Sequence, residues 1–136
     1  MTQISGFHHV SLPATDVERS GDWYERVFGF GCVLIEEEED HVKAVILEHP
    51  AGMLLVLYPS PDLIPAPSGH GLGTAALSFR VASQNELLLW ENRLTELGID
   101  HSGPRHAHLG WALDVVDPSG LRVQLHTREV ISADDE

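Results

Sequence analysis

The sequence predicts an α+β fold made of two β-α-β-β-β copies, and three observations predict it. First, HPAGMLLVLY (His49 to Tyr58) returns as DPSGLRVQLH (Asp117 to His126) at a shift of 68, and VFGF (Val27 to Phe30) is echoed by ELGI (Glu96 to Ile99) at a shift of 69. Second, two stretches of helical periodicity each open on a capping residue and close on a glycine. Third, short apolar runs punctuated by Pro and Gly fill the remainder, as strands should. The 136 residues suit one domain, with module one at about 5–60, a linker at 59–73 and module two at about 74–128. Each copy alone leaves one sheet face uncovered, so the two sheets are expected to share a concavity.

Taken in order, Phe7 to Leu12 reads as a first strand ended by Pro13. Asp16 caps a helix to about Phe28, with Val17, Tyr24 and Phe28 on one face and Gly29 as its stop. Cys32 to Glu37 and Val42 to Glu48 follow as strands around an acidic hairpin tip, Glu36 to Asp40. A turn at Pro50-Ala51-Gly52 leads to Met53 to Tyr58. The run PSPDLIPAPSGHGLG, Pro59 to Gly73, reads as a connector. Thr74 to Val81 then starts the second copy. Ser83 and Glu86 have capping-box spacing, Leu87, Trp90, Leu94 and Leu97 give the helical stripe, and Gly98 ends it. A short extended piece, Trp111 to Val116, the turn Asp117 to Gly120 and Leu121 to His126 complete the copy. The tail from Arg128 reads as frayed.

Strand alternation sorts the faces. Val10 and Leu12 turn toward the first helix, as does His8, while Phe7, His9 and Ser11 turn away. Ala75, Leu77, Phe79 and Val81 form a buried row, leaving Thr74, Ala76, Ser78 and Arg80 opposite. Leu121, Val123 and Leu125 are core, and Arg122, Gln124 and His126 share the other side. Leu113 and Val115 are core, with Ala112, Asp114 and Val116 opposite. Leu54, Val56 and Tyr58 are the corresponding row of the first copy. The face away from the helices is thereby expected to be polar and aromatic-edged.

Composition narrows the partners. There are 8 Lys plus Arg against 21 Asp plus Glu, a formal net charge of -13. Nucleic acid and anionic membrane surfaces need clustered cations that this chain does not have. Such a balance would attract a cationic small molecule. The single cysteine, Cys32, excludes an intrachain disulfide and a thiolate cluster and suits a cytoplasmic setting. Neither a signal peptide nor a membrane span is legible.

FHHVSLPATDVERSGDWYERVFGF and DPSGLRVQLH resemble the opening and closing signatures of the vicinal oxygen chelate superfamily, which includes glyoxalase I, bleomycin-resistance and extradiol-dioxygenase proteins. The resemblance runs from Gly6 to His126. It implies paired βαβββ modules forming a U-shaped, cup-like sheet with helices outside, often in a homodimer. It also implies a metal held by one ligand from each of four strands, positions that fall here on His9, Val56, Thr74 and Gln124. Only His9 is a strong donor, so the standard metal site is expected to be lost.

A displaced set of His9, Asp114 and His126 would be an alternative two-histidine, one-carboxylate site. The preferred reading makes His126 a rim residue and Asp114 a partner of Arg122. His106 with His108, and His70 in the linker, read as loop histidines; Trp23, Trp90 and Trp111 read as packing residues, with Trp111 nearest the cavity mouth. Cys32 has no neighbouring cation to activate it.

Three functions compete. The favoured one is a metal-free small-molecule binder holding its ligand through His9, Tyr58, Thr74, Asp114, Gln124 and His126, with no divalent cofactor. The alternative is a metal-dependent lyase, isomerase or dioxygenase using displaced ligands. The third is an assembly module with a vestigial cavity.

Overall fold

The computed structural model describes residues 2–63, 75–107 and 109–129. The chain divides into two compact units, Met1–Ile64 and Pro65–Glu136. Thr74, His70 and His108, with most of the connector, lie outside the described residues.

In unit one, β1 (Val10–Ala14) precedes α1 (Val17–Phe28), then come β2 (Gly31–Glu38), β3 (His41–Glu48) and β4 (Leu54–Pro59). The sheet order is β1-β4-β3-β2, with β1 parallel to β4 and the other pairs antiparallel. Asp16 caps α1 by accepting from the Arg19 N–H at 3.1 Å, and Gly29 ends it in the left-handed region at φ 85°. The helix buries Val17, Trp23, Tyr24, Val27 and Phe28. Gly21 lies on the buried side of the helix against Val45 of β3. Leu47, Leu55 and Leu57 of the sheet are fully buried, each contributing roughly 1.5–3 kcal/mol of apolar transfer.

Three local expectations are corrected here. The first strand starts at Val10 rather than Phe7, so alternation does not extend to His8, which is exposed instead of facing α1. Pro13 lies inside the strand, opposite Tyr58; β1 is an edge strand, where a missing N–H costs no ladder bond. The acidic tip is only Glu39-Asp40, because Glu36 to Glu38 continue the pairing with β3.

Unit two repeats this plan. Its elements are β5 (Leu77–Val81), α2 (Gln84–Glu96), β6 (Arg105–Ala107), β7 (Gly110–Val116) and β8 (Arg122–Thr127), in the sheet order β5-β8-β7-β6. β5 is parallel to β8 and the other pairs are antiparallel. Ser83 accepts from the Glu86 N–H at 3.2 Å, and Leu87 and Leu94 of α2 are buried with Phe79, Leu113, Val115, Val123 and Leu125. β5 is shorter than the run from Thr74 and begins at Leu77.

The repeat holds at the level of register. Val45 pairs with Leu57, and a shift of 68 turns this into Leu113 with Leu125; Ile46 with Val56 likewise becomes Asp114 with Gln124. The turns match too. Asp117 Oδ1 accepts from the N–H groups of Ser119 and Leu121, both at 2.9 Å. In unit one, His49 Nδ1 accepts from Ala51 N–H at 3.0 Å, while its Nε2 donates to the Phe28 carbonyl at 2.9 Å. An imidazole thus replaces the Asx-type carboxylate. Among the described residues, no helix is long and apolar enough to cross a membrane.

Candidate functional site

Each sheet has α packed on one side, and the other side distinguishes the two units. In unit one a cross-strand row on that face runs Ser11, Val56, Ile46, Leu34. The matching row in unit two runs Ser78, Gln124, Asp114. Val56 and Ile46 are thus replaced by an amide and a carboxylate at positions whose backbone pairing is unchanged. Polar side chains in a sheet interior persist only where they find partners.

The partners are specific. Asp114 is 0% exposed. Its Oδ2 accepts from Arg105 Nη2 at 2.9 Å, and its Oδ1 accepts from Gln124 Nε2 at 3.3 Å. Gln124 Oε1 accepts in turn from Ser78 Oγ at 3.0 Å. The Asp114 backbone is held as well: its N–H donates to Ser102 Oγ at 2.8 Å, and its carbonyl accepts from Ser102 N–H at 3.0 Å. The result is a continuous chain from Ser78 on β5 through β8 and β7 to Arg105 on β6. Such a network pre-sets the orientation of every member.

Arg105, which was not among the expected site residues, forms the ion pair with Asp114 described above, and Arg122, the expected partner of Asp114, is buried. Arg105 pairs with Ala112, and Ala112 shares its face with Asp114, so alternation from His106 brings Arg105 to the carboxylate. Arg105 Nε is buried and has no acceptor among the described residues, so Asp114 engages the guanidinium at one nitrogen rather than through a two-bond fork.

Of the other site residues expected, His126 lies two positions beyond Gln124 on the same face and is half-buried. Its Nδ1 donates to the Thr127 carbonyl, leaving Nε2 as the lone-pair nitrogen. Unit two therefore brings Asp114, Gln124, His126 and Ser78 together. His9 and Tyr58 belong to unit one. His9 immediately precedes β1, is exposed, and has its Nδ1 2.9 Å from Nδ1 of His8. Tyr58 is exposed near the end of β4. Trp111 is half-buried, with its ring 3.9 Å from that of His106 in an edge-to-face contact.

The metal implied by the family resemblance can be tested against these donors. A divalent ion wants carboxylates or imidazoles with lone pairs to spare. Both oxygens of Asp114 are engaged, one by a guanidinium, and the Gln124 oxygen is taken by Ser78. The residue standing to β8 as His9 stands to β4 is Ala76, whose N–H donates to Arg122 and whose side chain offers no donor. Among the described residues, no group of three or more His, Cys, Asp or Glu is placed to hold a metal. These side chains, as arranged, do not fit a divalent cation.

Comparisons with known proteins agree on the fold. Residues 6–125 match the family model described as Glyoxalase/Bleomycin resistance protein/Dioxygenase superfamily. A relative named Glyoxylase I 4 from Arabidopsis thaliana is 25% identical over 125 residues, covering 90% of this chain and 70% of that protein. A Bacillus subtilis protein, provisionally assigned as the ring-cleaving dioxygenase MhqA, is 25% identical over 98% of this chain; the chain spans only 42% of its length. A solved glyoxylase/bleomycin resistance protein/dioxygenase domain from Frankia sp. EAN1pec superposes with a TM-score of 0.73 at 22% identity, covering 93% of this chain and 94% of that one.

Proposed function

Starting from the fact that the chain belongs to the glyoxalase/bleomycin-resistance/dioxygenase superfamily, we propose that it is a small-molecule-binding protein whose standard metal site has been lost. The observation that carries the reading is the state of Gln124. A neutral amide stands at the last-strand position, and both its ends are bound within the protein. A coordinating carboxylate would need to keep lone pairs open toward a cavity; this side chain closes them against Ser78 and Asp114. The ligand meets the face of unit two presenting Gln124, His126 and Asp114's partner Arg105, where fixed polar groups orient it without an ion.

Two measurements test the reading. Elemental analysis of protein purified without added metal is expected to find no stoichiometric transition ion; such an ion, lost on His126→Ala or Asp114→Asn, would establish the metal-dependent lyase, isomerase or dioxygenase reading instead. Thermal denaturation against a broad compound panel is expected to reveal ligands by mass-action stabilisation. A homodimer and a cytoplasmic setting complete the proposal, supported by the family and by an exposed, unpaired Cys32. Sedimentation at several concentrations checks the first.

A further inference from the structure

We infer that the ligand taken by the helix-distal face of unit two is a small organic anion, its carboxylate or phosphonate oxygens bound by Arg105 and Arg80. This rests on the small-molecule reading above and adds the charge class.

Overall charge points the other way, since the chain carries -13. Binding, however, responds to the local field. Among the described residues, the strands β5, β8, β7 and β6 place the exposed Arg80 and the part-exposed Arg105 on this face, with Arg122 buried, beside the one carboxylate Asp114. Asp114 is buried and already committed, so it cannot greet an incoming cation. An amine or divalent ion would meet guanidinium groups first.

Arg105 is the anchor. Its Nη2 is fixed at 2.9 Å from Asp114 Oδ2, while the side chain as a whole is 36% exposed. Because Nε is buried, that exposure belongs to other atoms of the side chain. A guanidinium has five N–H donors in a fixed fork, and Asp114 takes one nitrogen only. The outer Nη1–Nη2 edge suits two oxygens of a carboxylate or phosphonate. The carboxylate beneath it holds the plane in place before ligand arrives, which lowers the ordering cost of binding. Arg80 sits at the far end of the same cross-strand row, which runs Arg80, His126, Ala112, Arg105. It is exposed and can close over a ligand from the opposite side. Between the two arginines the row holds His126 and the small Ala112, so the space beside Arg105 on the His126 side is free of a bulky side chain from this row.

Four probes of matched shape separate the possibilities: benzoate, phenylphosphonate, benzyl alcohol and benzylamine, titrated into the full chain with protein amide shifts as the readout. Benzoate and phenylphosphonate are expected to shift β7 and β8 amides, with affinity falling as salt is raised. Arg105→Gln is expected to weaken them about tenfold or more, since hydrogen bonds to charged groups are the strong ones. Arg80→Gln, at an exposed position, is expected to weaken them about threefold and keeps the test open if the first variant is unstable. Binding of the alcohol or amine as tightly as the anions overturns the charge class while leaving the small-molecule reading standing. Anion binding indifferent to both substitutions overturns the placement at these arginines. Silence from all four probes overturns the inference and counts against the reading beneath it.

Discussion

Removing one partner from the Asp114–Arg105 pair should expose an asymmetry set by burial. Asp114 is 0% exposed and the Arg105 side chain 36% exposed. Arg105→Gln leaves a carboxylate in the sheet interior without that guanidinium, with Gln124 still donating to it, and a neutral amide does not balance its charge. Breaking fully buried pairs costs about 3–5 kcal/mol. With the arginine end partly solvated, the pair is worth less, and about 2–3 kcal/mol is expected. Asp114→Asn is gentler, because the stranded guanidinium reaches solvent and an amide oxygen still accepts a bond; about 1 kcal/mol is expected. Urea denaturation followed by tryptophan fluorescence reads both, with the slope checked for constancy. Equal costs for the two variants, or less than about 0.5 kcal/mol for Arg105→Gln, would refute the claim that the carboxylate is the desolvated partner.

Other outcomes follow from the same geometry. Gln124→Glu places a second carboxylate beside Asp114, so its folded pKa should rise above the unfolded value of about 4.3. Stability should then fall as pH rises through and beyond that value, since the unfolded chain ionises first; denaturation midpoints across pH test this, and a flat profile relative to the parent would contradict it. Gly110→Ala should cost several kcal/mol, because its φ is 150° and a Cβ would lie 2.3 Å from the Thr127 carbonyl oxygen, a backbone atom that cannot swing away. Thermal denaturation would show it. Ser83→Ala should remove the cap on α2 and cost about 1 kcal/mol. Leu94→Ala, at a site with no exposure, should cost about 2–5 kcal/mol. Both can be read from denaturant midpoints.

The α+β class, both helices with their caps, and the internal repeat were legible because they rest on local chemistry. Asp16 and Ser83 cap, Gly29 and Gly98 terminate, and apolar residues recur at helical or strand spacing regardless of what packs against them. The two-fold copy showed in matching turns and Leu57 with Leu125, and the strand register preserves that match residue for residue. Strand ends were less legible. The first strand begins three residues late, since the apolar character of Phe7 says nothing about whether a neighbouring strand exists to receive it; Phe7 is 99% exposed.

Alternation alone placed Ser78, Asp114, Gln124 and His126 on one face of the second unit, and that much of the candidate site follows from the chain order of side chains along strands. That Arg105 meets Asp114 was decided only in three dimensions. Arg105 lies nine residues before Asp114, and distance along the chain does not signal a contact between them. The antiparallel pairing of β6 with β7 delivers the Arg105 guanidinium to a carboxylate that has no solvent to turn to. Sequence determines what each strand can present, because side-chain direction is a local property of the backbone; tertiary structure decides which charges meet, because burial and register are properties of strands brought together from far apart.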